Sequence, residues 1–160
     1  MTTQKIAIGL IAIALFVGSL TAHAADYSVG YEAYQRGDYA TALRIMREHA
    51  EQGEAKAQSV LGFMYDNGQG VAQDYAAAVR WYRKAAEQGN IDAQTNLGVM
   101  YHEGQGVTRN FVLAHMWLNL AAAKGQKLAR EARDLLIEEM TPAQIAEAQK
   151  LAREWKPKGK

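Results

Sequence analysis

The chain has no cysteine and only two prolines in 160 residues. Without a thiol there is no disulfide to staple the fold and no residue to carry a lipoprotein anchor, so stability must come from packing alone. So little proline excludes a collagen-like chain, and 49% hydrophobic residues exclude outright disorder. An excess of either charge is also missing: Lys and Arg number 18 against 17 Asp and Glu, and Lys5 is the one charged residue before Asp26. A balanced chain lacks the basic stripe used to grip nucleic acid or an anionic membrane surface, and neither is expected as a partner. Serine is scarce as well. Beyond residue 25 only Ser28 and Ser59 remain, neither in G-x-S-x-G nor followed three residues later by Lys, which removes the scaffold for serine nucleophiles.

The one long apolar run is at the start. Residues 1–5 are polar and carry Lys5, residues 6–17 (IAIGLIAIALFV) are unbroken apolar, and Gly18-Ser19 precede Ala22-His23-Ala24. This is the order of a signal peptide with cleavage expected after Ala24. Even extended to Leu20, the run is shorter than the ~20 residues of a membrane-spanning helix. The expected address is therefore periplasmic or secreted, with no stable membrane span after cleavage.

Residues 54–89 and 90–125 align without a gap and share 15 of 36 positions, among them Leu61/Leu97, Gly62/Gly98, Tyr65/Tyr101, Gly68/Gly104, Gly70/Gly106, Trp81/Trp117 and Gly89/Gly125. A period in the thirties marks stacked supersecondary units that cannot bury their apolar faces alone. Within a unit, Ala57, Leu61, Met64 and Tyr65 recur at three and four, the spacing of one helical face. Gly68-Gln69-Gly70 supplies a tight turn, Asp74 is placed to cap a second helix, and Tyr75, Ala78, Trp81, Tyr82, Ala85 and Ala86 give that helix its own face. Trp81 and Trp117 are both expected to be buried between successive helix pairs.

The pattern A-x-x-x-L-G-x-M-Y-x-x-G-x-G-V, an aromatic, then A-x-x-W-x-x-x-A-A-x-x-G, resembles the Sel-one-like repeat, a relative of the tetratricopeptide repeat. The resemblance implies an all-α, right-handed α/α superhelical solenoid of antiparallel helix pairs whose concave face binds protein. It is carried by residues 57–89 and 93–125. Residues 25–53 read as a variant first unit with a shorter turn at Gly37-Asp38, since Tyr39, Tyr75 and Phe111 stand 36 residues apart, as do Gly53, Gly89 and Gly125. Residues 126–160 read as C-terminal capping helices, the last opened by Thr141-Pro142-x-Gln144. Some relatives in this class are cysteine-rich and have β-lactamase activity ascribed to them; the absence of cysteine separates this chain from them.

Other chemistry is sparse. His49, His102 and His115 fall in different elements without ligand spacing, and the Gly-x-Gly loops are not followed by Lys-Ser/Thr, so no metal and no cofactor is expected. The expected function is a non-enzymatic interaction module of the bacterial envelope, with a protein or peptide as partner. Its face would be the row turned away from Leu61, Gly62 and Tyr65: Lys56, Ser59, Phe63 and Asp66, with Asp92, Thr95, Val99 and His102 in the next unit and Ser28 and Glu32 in the first. Phe63 and Val99 are the apolar pair in that row; the competing expectation is that Phe63 packs against a first-unit helix, for example on Tyr31. The alternative function is a cell-wall enzyme or ligand-binding domain, for which Asp66 and Glu103 would have to face one another across roughly 5–10 Å.

Overall fold

The computed structural model describes residues 27–158, in which every regular element is a helix. Residues 1–24, the expected signal peptide, lie outside the described residues. The helices are α1 (27–35), α2 (Tyr39–Glu51), α3 (Ala55–Asn67), α4 (Tyr75–Glu87), α5 (Ile91–Glu103), α6 (Phe111–Ala123), α7 (Lys127–Ile137) and α8 (Pro142–Glu154). Short polar side chains start most of them: Asp38, Asp74, Asn90 and Asn110 each accept a hydrogen bond from the backbone amide three residues on, satisfying a donor the helix itself cannot. Thr141 and Gln144 close a reciprocal capping box with Pro142 in the first turn.

Helix α3 packs on α4 and α5 on α6 within the repeats, while α2 on α3, α4 on α5 and α6 on α7 join successive units into a solenoid. The repeated glycines explain how tightly the layers fit. A Cβ on Gly62 would stand 2.7 Å from the Tyr82 ring, and one on Gly98 2.7 Å from Leu118, so a bare backbone is what lets the two helices of a unit touch. Gly30 holds the same place against Ile45 in the first unit. Gly70 and Gly106 join one unit to the one before it. Both have positive φ, and each lies against the backbone carbonyl that opens the previous unit's second helix, at Tyr39 and Tyr75.

Polar ties repeat with the same period. Arg47 donates to the Tyr65 hydroxyl at 3.2 Å, and Arg83 to the Tyr101 hydroxyl at 2.8 Å. Gln88 donates to the Gly53 carbonyl at 3.0 Å and to Gln58 Oε1 at 2.8 Å. One unit on, Lys124 donates to the Gly89 carbonyl at 3.1 Å, while the buried Gln94 Oε1 has no partner among the described residues.

The two tryptophans differ, contrary to expectation. Trp117 is 7% exposed and meets Trp155 edge-on at 6.1 Å, whereas Trp81 is half-buried with Lys84 lying 4.3 Å over its ring. In the second unit the fully buried aromatic is Tyr82, the residue over Gly62. The C-terminal helices also depart from the pattern of the earlier units. Both α7 and α8 pack on α6 rather than forming a close pair, and Lys158 is held to Glu87 through its backbone amide (2.8 Å) and its ammonium (2.9 Å). The end of the stack is thereby covered by the α8 segment, and no helix among the described residues is long and apolar enough to cross a membrane.

Candidate binding groove

One open groove, of about 310 Å³, crosses the first helices of all the units. From α1 it takes Tyr31 and Tyr34, and from α3 Ser59, Val60 and Phe63. Its far half is lined by Asp92, Thr95 and Asn96 of α5, then Gln126 and Leu128 at the start of α7. The wall at the α1–α3 end is aromatic. Tyr31 and Tyr34 have ring centroids 6.2 Å apart, and Phe63 meets Tyr34 edge-on at 6.4 Å. Two of these rings remain open to solvent, Tyr31 at 40% and Phe63 at 38% exposure.

The register explains why. Tyr31, Phe63 and Val99 each follow the glycine that touches its own second helix, so all three point out of the first-helix face. Leu135 follows Asp134 at the corresponding place in α7 and is 67% exposed. An exposed apolar residue therefore stands at this register in α1, α3 and α7, while Val99 in α5 is half-buried against the core.

Of the ten residues expected on this face, Ser59, Phe63, Asp92 and Thr95 line the groove. Ser28, Glu32 and Lys56 are exposed outside its lining, with Glu32 beside Arg36 at 3.6 Å. Val99 packs against the main core cluster, and His102 is paired with Glu139 at 2.7 Å beside the Phe111 ring. Asp66 lies half-buried below, accepting a 3.5 Å bond from the Tyr82 hydroxyl. Phe63 does pack against the first-unit helix, on Tyr34 rather than Tyr31, while 38% of it stays exposed. Tyr31 and Tyr34 were missed because the first unit was phased by its second helix; Gly30, set beneath Gly62 and Gly98, aligns Tyr31 with Phe63 directly. Val60, Asn96, Gln126 and Leu128 had no comparable signal.

The electrostatics do not build a carboxylate pair in the groove. Burial raises the Asp66 carboxyl above the usual range; the Tyr82 hydrogen bond opposes this, and repulsion from Glu103 adds to it. Burial, then the Asp66 charge, pushes the Tyr82 phenol up as well. Asp66 and Glu103 both lie outside the lining, in which Asp92 is the only carboxylate. Among the described residues no cluster of three or more His, Asp or Glu side chains is placed to hold a metal ion.

The order of elements is a helix, a Gly-x-Gly turn resting on the previous unit, and a second helix over a bare glycine. Residues 55–90 and 91–126 each match the Sel1 repeat. Two solved structures share this architecture. One is c5321, a protective antigen present in uropathogenic Escherichia coli strains and displaying an SLR fold. It is 31% identical with a TM-score of 0.79 over 83% of this chain and 29% of that one. The other is a Sel1 repeat protein from Oxalobacter formigenes, 38% identical with a TM-score of 0.59 over 61% of this chain and 28% of that one. The chain thus spans less than a third of the length of either. No curated protein matches it.

Proposed function

We propose that this chain is a non-catalytic adaptor of the bacterial cell envelope, periplasmic or secreted, that holds a protein or peptide on the concave face built by its first helices. Sel1 repeats typically mediate protein–protein interaction, which supports the binding role. The observation that carries the choice of face is the exposed pair Tyr31 and Phe63, held by α1 and α3 at equivalent positions. Aromatic groups presented on a rigid surface lose little conformational entropy on binding and serve as anchors, while the neighbouring Ser59, Thr95 and Asn96 supply hydrogen bonds. The address is supported by the order of Lys5, the apolar run and Ala22-His23-Ala24.

A photo-crosslinking amino acid tests the face. In place of Tyr31 it is expected to trap a partner in intact cells, and in place of Ala76, exposed on the second helix α4, it is not. Equal trapping at both positions contradicts the reading. N-terminal sequencing is expected to return Ala25 from an envelope or secreted fraction; an intact Met1 or a cytoplasmic protein contradicts the address.

A further inference from the structure

We infer that the groove is selective for a basic peptide segment: an arginine or lysine whose charge meets Asp92 and whose stem lies on Tyr31 and Phe63, followed by an apolar residue on Leu128. This deepens the binding reading above and rests on it.

Charge complementarity fixes the occupant. Asp92 is the sole carboxylate, with no cationic side chain beside it, in the lining of a groove whose other end is a wall of aromatic rings. Nothing in the repeat requires a carboxylate there, since Lys56 stands 36 residues before it and Leu128 36 residues after. Among the described residues it accepts a hydrogen bond from Gln126 Nε2 at 3.2 Å, which uses a fraction of the roughly four lone-pair directions of a carboxylate. On the nearest turn of α7, Lys127 lies 3.6 Å from Glu131, and Arg130 is exposed outside the groove's lining.

Aromatic faces at one end of a groove and a carboxylate at the other suit a long cationic side chain, whose stem packs on the rings while its head is neutralised. The chain already uses this pairing on itself, with Lys84 over Trp81 at 4.3 Å and Arg109 over Phe111 at 4.9 Å. A volume of about 310 Å³ admits one or two side chains of an extended segment. Leu128, 65% exposed at the far end, leaves an apolar contact for the next residue.

The probes are acetyl-Gly-Leu-Arg-Leu-Gly-amide and the same peptide with Gln or Glu in place of Arg, titrated by calorimetry into the mature chain. The Arg peptide is expected to bind about tenfold or more tightly than the Gln peptide, and the Glu peptide weakest. Asp92→Asn, an exposed substitution, is expected to bring the Arg and Gln peptides within about twofold of each other, while Phe63→Ser weakens both. Equal binding of Arg and Gln peptides, or an Arg preference that survives Asp92→Asn, overturns the inference. If both bind equally and Phe63→Ser abolishes both, the cation preference fails but the concave-face reading stands. If no peptide binds and Tyr31 crosslinks no partner, both fall.

Discussion

Tyr82 lies across Gly62 so closely that a single added methyl would meet its ring at 2.7 Å. Tyr82 is fully buried and its ring is fixed by the core, so the methyl has no room unless α3 and α4 separate. Gly62→Ala is expected to cost about 1–3 kcal/mol despite the higher helix propensity of alanine. Chemical denaturation checks this. A stabilised Gly62→Ala would show that the helices of a unit do not touch there.

The two tryptophans, identical in the repeat, are expected to separate on mutation. Trp117→Ala should cost about 3–5 kcal/mol, as for a buried aromatic, and lose its contact with Trp155. Trp81→Ala should cost less, by about 1 kcal/mol or more, because part of its surface is already in water. Melting curves of the two variants decide it; equal losses would contradict the difference in burial.

A defect in the third unit can be repaired from the second. Gln88 bonds both the Gly53 carbonyl and Gln58 Oε1, whereas Lys124 bonds the equivalent carbonyl and the buried Gln94 Oε1 has no partner among the described residues. Lys124→Gln is expected to restore both bonds and stabilise the chain by about 1 kcal/mol. A loss of stability in denaturant titrations would count against the equivalence.

His115 is buried where the second unit has Val79, and neither of its ring nitrogens has a partner among the described residues. Burial, then the nearby Arg133, lowers its pKa below 6.5, with Asp134 opposing. A lowered pKa means the folded chain binds the proton less readily than the unfolded chain. Stability is therefore full above pH 6.5 and falls as the pH drops through that value, by about 1.4 kcal/mol per unit of depression once both states are titrated. Comparing wild type and His115→Val between pH 7.5 and 5 should show a shallower decline in the variant. Identical slopes would contradict it.

Much of the fold could be read because its determinants are local or repeated. Asp74 and Thr141-Pro142-x-Gln144 cap helices through atoms three residues away, and the glycines recur with the period of the contacts they permit. What escaped depends on the ends of the stack. Trp117 is buried by Trp155, a residue outside the repeat, and Trp81 has no such cover. The groove was legible at Phe63 and Ser59 but not at Tyr31, because the three-residue turn between α1 and α2 shifts the first helix against the 36-residue period.

The central claim is that Phe63 faces a partner and not the core. Affinity capture from envelope extract, run beside a melting curve, tests it most directly with Phe63→Glu. At 38% exposure the substitution is expected to leave the melting temperature within a few degrees of wild type while the captured partner is lost. An unfolded variant, or a folded one that retains its partner, would contradict the account.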